Sequence, residues 1–214
     1  MINNLKLEYS KYRHLINSAD VLLFYNRRIF SLGWLVRLYT HSPYSHVALA
    51  HWETPDNLRC LEFKEFIGSR ESMTIPDYLD RGYRIDVFRA SPSVSIPYID
   101  FADSVNPTVE KIEIEFDRTV ATKIIATAHN LLGRRYSWWT VWQLAKTLIP
   151  FVRLRQRQFE KNKEPDVTEF ICSTLITYAY RLNYVDPVSF LSDSYTTPGD
   201  LARSELFVKL FEII

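Results

Sequence analysis

The chain has 214 residues, enough for one domain with its own core. A 47% hydrophobic and 24% charged composition is ordinary for a globular protein, and a net charge of +1 provides no field for nucleic acid or an acidic substrate. Two cysteines, Cys60 and Cys172, make neither a disulfide framework nor a zinc spacing, which points to a reducing compartment.

The N-terminal "MINNLKLEYSKYRHL" mixes polar and apolar residues and does not read as a secretory signal. No run reaches the roughly 20 apolar residues of a membrane-spanning helix, so the expected location is the cytoplasm. "ADVLLFYN" (19–26) reads as a buried strand, and the apolar spacing of 29–40 suits a helix despite Gly33. "SPYS" (42–45) is turn chemistry. Residues 46–52 and 58–64 read as two strands joined by a hairpin loop at 54–57, and 83–90 as a further strand. The stretch 91–108, with three prolines, reads as an extended connector.

Residues 117–133 carry the clearest helical pattern, with Asp117 as N-cap and Gly133 at the C′ position. A second helix is expected over 137–149, before Pro150, followed by a charged insertion at 151–166. "EFICSTLITYAYRL" (169–182) reads as a buried helix capped by Asp166 or Thr168. Strands come mostly first and helices later, which suggests an α+β fold in a single domain spanning 1–214.

Cys172 falls in the first turns of that last helix. A helix N-terminus stabilises a thiolate, the nucleophilic form of cysteine, although "FICSTLI" would equally suit a small core residue. A cysteine nucleophile needs an imidazole as base and a third group to orient the ring. His46 opens a strand just after a turn, where a ring can face a cleft. A hairpin centred near Thr54–Pro55 puts His46 opposite residue 62 or 64. In either register Glu62 shares its face, whereas Glu65 has the wrong parity. Glu62 could also be a solvated strand residue.

"DVLLFYNRRIFSLGWLVRLYTHSPYSHVALAHW" resembles the opening of the circularly permuted NlpC-type papain-like family, also called YiiX-like. "LLGRRYSWW" (131–139), "FICSTLITYAYRLNYVD" and "TTPGDLARS" (196–204) are similar to later segments of that family, in order, over nearly the whole chain. The resemblance implies a permuted papain-like fold, with an antiparallel sheet packed on helices that include the cysteine helix. It implies Cys172 as nucleophile, His46 as general base and Glu62 at the third, polar position. Three departures stand out: Ala19 and Ala48 replace glycines, and "LEFK" replaces an "EA" dipeptide. Tyr136 matches a tyrosine that lies beside the nucleophile, where a phenol could serve a developing oxyanion or simply be buried. Tyr44 and Ser173 join it as expected substrate-binding or oxyanion residues, with Tyr44 as pocket wall or turn packing.

The activity implied is hydrolysis or acyl transfer at an amide or ester, on a peptidoglycan stem peptide or a lipid acyl group. No metal or nucleotide signature occurs, so no cofactor is expected. A bacterial or phage-encoded enzyme would fit. The competing readings are an inactive binding module of the same fold and a membrane-surface lipid binder. The latter would use the basic stretch that includes Arg153, Arg155, Arg157, Lys161 and Lys163, which could also contact a cell-wall polymer. A solvated charged face is the simpler reading of that stretch. His41 is a lesser candidate for substrate contact. His14, His51 and His129 are read as structural or solvated, and Cys60 as packing on the His46 face.

Overall fold

The structure, a computed structural model, describes residues 6–25, 32–64, 68–100, 108–133, 135–136, 169–189, 191, 193 and 196–214. The expected helix at 137–149, the insertion at 151–166 and the caps Asp166 and Thr168 lie outside these residues. The fold is mixed α+β. In chain order come β1 (Lys6–Leu7), α1 (Tyr9–Tyr12), β2 (Val21–Tyr25), α2 (Leu32–Thr40), β3 (His46–Thr54), β4 (Asn57–Lys64), β5 (Gly68–Thr74), α3 (Ile75–Asp80) and β6 (Arg84–Ala90). There follow β7 (Ser93–Asp100), β8 (Thr108–Glu115), α4 (Arg118–Asn130), β9 (Arg135–Tyr136), β10 (Glu169–Phe170), α5 (Cys172–Arg181), α6 (Pro198–Ala202) and β11 (Phe207–Ile213). No helix among the described residues is long and apolar enough to cross a membrane.

A seven-stranded sheet in the order β1-β11-β6-β2-β3-β4-β5 organises the molecule. The β1–β11 pair is parallel, and the other neighbours run antiparallel. Its central strands are apolar on both faces because both faces are covered. Val21, Leu23, Val47 and Leu49 pack with α4 and α5 through Ile124, Ala128, Leu175 and Ala179. Leu22, Phe24, Ala48 and Ala50 face the other way, against Ile16, Ile75 and Tyr78. Tyr180 of α5, fully buried, donates its hydroxyl to the Ala19 carbonyl at 2.8 Å. Ala19 itself has φ +70°, the left-handed conformation that glycine adopts without cost.

α4 carries the N-cap read from sequence: Asp117 accepts from the Val120 N–H at 2.8 Å. Its C-cap is Leu131, so Gly133, with φ +86°, falls one residue past the C′ position expected for it. Elsewhere the structure departs from the sequence reading. The expected connector at 91–108 contains β7, paired with β8 in a separate two-stranded ribbon from Ser93↔Glu115 to Asp100↔Thr108. Pro97 is tolerated because each strand of such a ribbon keeps one edge outside the ladder. The helix expected from 169 begins at Cys172, since Glu169 and Phe170 form β10 beside β9, and Ile171 is the N-cap. The strand Phe207–Ile213 was not apparent in the sequence. It inserts between β1 and β6, held there by Lys209 Nζ donating to Asp86 at 2.7 Å and by an Arg84–Glu212 ion pair.

α6 begins with a capping box. Thr197 Oγ1 accepts from the Asp200 N–H at 3.3 Å, and the Asp200 carboxylate accepts from the Thr197 N–H at 3.0 Å. Behind that cap, Gly199 approaches the turn before β3 so closely that a Cβ would lie 2.6 Å from Ser42 Cβ. Gly199→Ala is therefore expected to cost about 1–3 kcal/mol in urea unfolding, as overpacking does. An unchanged midpoint would show that the turn gives way freely. His41, just past α2, has φ +47°, and the Ser42 N–H behind it returns to the Arg37 carbonyl at 3.3 Å. This is a helix terminus that favours glycine, so His41→Gly is expected to raise stability by roughly 0.5–1 kcal/mol. The same urea titration checks it.

Candidate functional site

The site begins where β3 begins. The Ser45 N–H donates to the Phe24 carbonyl at 2.8 Å, and His46 pairs with Phe24 across β2. The His46 ring lies against the Phe24 ring with centroids 5.5 Å apart. The β3–β4 ladder runs from Thr54↔Asn57 to Leu49↔Leu61. Extended at the same register, it would set His46 opposite Lys64 and Glu62 one pair inward, so Glu62 is a diagonal neighbour on the His46 face. Beyond Leu61 the partners change: Glu62, Phe63 and Lys64 pair with Arg70, Ser69 and Gly68 of β5, while His46, Val47 and Ala48 pair with β2.

Glu62 is wholly buried, and its Oε2 meets His46 Nε2. The Tyr78 hydroxyl of α3 donates to the same carboxylate, 2.5 Å from each oxygen. With Nε2 committed to Glu62, Nδ1 is the ring nitrogen left for the sulfur. The Cys172 side chain lies within interacting range of the His46 ring and, like Glu62, acts to raise its pKa. Cys172 is the first residue of the ten-residue α5 and is 8% exposed. α5 packs on the sheet face opposite to the one Phe24 and Glu62 share. Sulfur and ring therefore approach from opposite faces at the His46 end of β3, beyond the last β3–β4 pair, Leu49↔Leu61. The Thr174 N–H donates to the N-cap carbonyl of Ile171 at 3.1 Å, and the N-terminal end of the helix favours an anion on Cys172.

Burial, the largest single influence, would depress the His46 pKa, but the Glu62 charge, the bond to Glu62 and the nearby Cys172 side chain together outweigh it. The value is pushed up to about 10. The ring is thus held ready as an imidazolium between two groups that can be anionic. Such a trio can hold a thiolate beside the imidazolium, with the carboxylate on the ring's other side.

The other residues singled out from sequence are placed differently. The Tyr44 hydroxyl donates to Asp86 Oδ2 at 2.6 Å, and its ring stands edge-on to Phe88, so Tyr44 braces the turn to β6. Ser173 is fully buried and donates its hydroxyl to the Thr196 carbonyl, a tie within the fold. Tyr136 pairs by backbone with Phe170, two residues before the sulfur; its side chain lies outside the described residues. Cys60 is buried in the apolar cluster with Leu58 and Ile75. His51 stands edge-on to His129 at 4.7 Å on the α4 side, and His14 is exposed in a short 3-10 turn. The basic stretch 151–163 lies outside the described residues.

Two contributions escaped the sequence reading. Tyr78 sits on a helix of six residues, too short to show periodicity, though "TIPD" gives its cap: the Thr74 N–H donates to Asp77 at 2.8 Å. The segment 196–199 touches both halves of the site, through Thr196 on Ser173 and Gly199 on Ser42. Among the described residues, no group of three or more His, Cys, Asp or Glu side chains could hold a metal ion.

No protein-family model matches the chain, and no curated protein matches it. Among solved structures it is similar to the crystal structure of the metalloprotein YiiX from Escherichia coli O157:H7, at 14% identity and a TM-score of 0.45, over 91% of this chain and 96% of that one.

Proposed function

We propose that this chain is a cysteine hydrolase or acyltransferase of the permuted papain-like kind, acting through a thioacyl intermediate on Cys172. The observation that carries the reading is the His46 ring, paired with the buried Glu62 carboxylate and within interacting range of the Cys172 side chain. The order of the three residues along the chain, histidine, glutamate, then cysteine, agrees with the permuted pattern it resembles.

In this mechanism the Cys172 sulfur attacks an amide or ester carbonyl as the thiolate partner of the His46 imidazolium. The oxyanion is met by backbone N–H groups of the first turn of α5, that of Cys172 among them. The His46 imidazolium gives its proton to the departing amine or alcohol, which leaves a thioester on Cys172. Water or another nucleophile, deprotonated by His46, then attacks the thioester and regenerates the thiol. Glu62 holds the ring and balances its charge throughout. The substrates that suit this chemistry and the sequence resemblance are peptidoglycan stem-peptide amides and lipid acyl groups, met by an enzyme made in a reducing cytoplasm.

Thiol alkylation followed by peptide mass mapping tests the reading without a known substrate. Iodoacetamide at neutral pH is expected to modify Cys172 far faster than Cys60, and His46→Ala to slow it by about 10²-fold or more. A Cys172 no more reactive than Cys60 would leave a binding module of the same fold. Muropeptides and short-chain acyl lipids, offered separately, are then expected to leave a mass adduct on Cys172 from one class and not the other.

A pH profile examines the third residue. The Glu62 charge raises the His46 value, so removing that charge must lower it. In Glu62→Gln the alkaline limb of kcat/KM is expected to fall from near pH 10 toward the ordinary histidine range, with a rate loss of at least about tenfold. An alkaline limb that stays in place in Glu62→Gln would show that the carboxylate does not govern the ring.

A further inference from the structure

Glu62 has no exposed surface, and an ionised carboxylate in such a place must be matched by donors or take up a proton. His46 supplies one donor. The Tyr78 hydroxyl supplies another, shared between both carboxylate oxygens at 2.5 Å. The Tyr78 ring is fixed for this task. It lies 4.5 Å from the Phe24 ring, which also carries the His46 ring, and stands edge-on to Tyr83 at 5.4 Å. Tyr78 itself is 2% exposed.

From this geometry we infer that Tyr78 is a positioning residue for the proposed reaction: its phenol keeps Glu62 ionised, so that the shared proton rests on His46 and the thiolate of Cys172 has a cationic partner. The inference rests on the reading of Cys172 and His46 as nucleophile and base. The proton between Glu62 and His46 has two homes. A hydrogen bond donated to the carboxylate stabilises the home on imidazole and is withdrawn if the proton moves to Glu62. Without the phenol, the buried carboxylate regains stability by taking the proton. The ring then becomes neutral, and the thiol loses the charge that favours its ionisation. Among the described residues around this pair, Phe24 is apolar and Cys60 lies two residues along the same face of β4, while the backbone of Arg70 pairs with Glu62 in the β4–β5 register. Cys172 closes the far side.

The test is Tyr78→Phe, which keeps the ring and removes the hydroxyl, with Tyr83→Phe as a control in the same aromatic layer. Iodoacetamide rates at Cys172 are measured from pH 4 to pH 11, in intervals of about one unit. The acid limb of the profile is expected to move up by about one pH unit or more in Tyr78→Phe, as the loss of a hydrogen bond to a charged group requires, and to stay in place in Tyr83→Phe. In a Glu62→Gln background, adding Tyr78→Phe is expected to move nothing further. A Tyr78→Phe profile superimposable on that of the parent protein overturns the proposal, as does a uniform fall in rate with no shift of the limb. If Tyr78→Phe does not fold, 3-fluorotyrosine at position 78 keeps the packing and strengthens the donor. It should move the limb to lower pH, and an unmoved limb again overturns the proposal. The His46 ring nitrogen shifts, read by NMR at pH 7 in the same proteins, separate this inference from its parent. Were Cys172 unreactive, the parent reading would fail, while a change from imidazolium toward neutral ring in Tyr78→Phe would still support the role of the phenol and unchanged shifts would refute it.

Discussion

A carboxylate sealed from water is the constraint around which this end of the molecule is built. Left alone, a buried ionised Glu62 would cost several kcal/mol, and only well-placed donors offset that. The fold brings them from two directions. β3 delivers an imidazole at its first residue, and a short capped helix on the same sheet face delivers a phenol. The Phe24 ring lies between them and contacts both, so one apolar surface sets the spacing of the two donors. The sulfur comes last in this hierarchy. It approaches from a helix on the opposite face and meets the ring where the β3–β4 ladder has ended.

Two helices and a turn from distant parts of the chain must agree in position to within a few tenths of an ångström for that meeting to occur. The segment before α6 provides the coupling. Its Thr196 carbonyl takes the Ser173 hydroxyl next to the sulfur, and Gly199 seats directly on Ser42 four residues ahead of the histidine. Neither residue touches the carboxylate or the ring. Their contribution is to fix the cysteine helix and the histidine turn to one shared surface, so that the two cannot drift apart independently.

Much of this was legible in the residues themselves. The unbroken apolar run of 21–24 could only be a strand covered on both sides, and the alternation of 46–52 and 58–64 was enough to put Glu62 and His46 on one face. Asp117 marked the start of its helix, and Gly133 its end to within one residue, because capping is local chemistry. What escaped was decided by partners far away in the chain. Residues 169–170 look helical until the pairing of β10 with β9 is known, and "SVSIPYID" looks like a connector until β8 lies beside it. The strand at 207–213 carries Lys209 and Glu212 on a half-buried edge of the pattern, and its charges make sense only with Asp86 and Arg84 opposite. Tyr78 could not be singled out from sequence because nothing short of three dimensions connects it to Glu62.

The placement of β11 has a consequence for how the chain is made. It lies between β1 and β6, so the earliest strand has no neighbour in the sheet until residues 207–213 arrive. A nascent chain still held in the ribosome at that point has β6 bare along one side, and Asp86 lacks the ammonium of Lys209. Closure of the sheet therefore waits for residues 207–213. Until then the half-finished edge is a surface that a chaperone, or another nascent copy, can occupy.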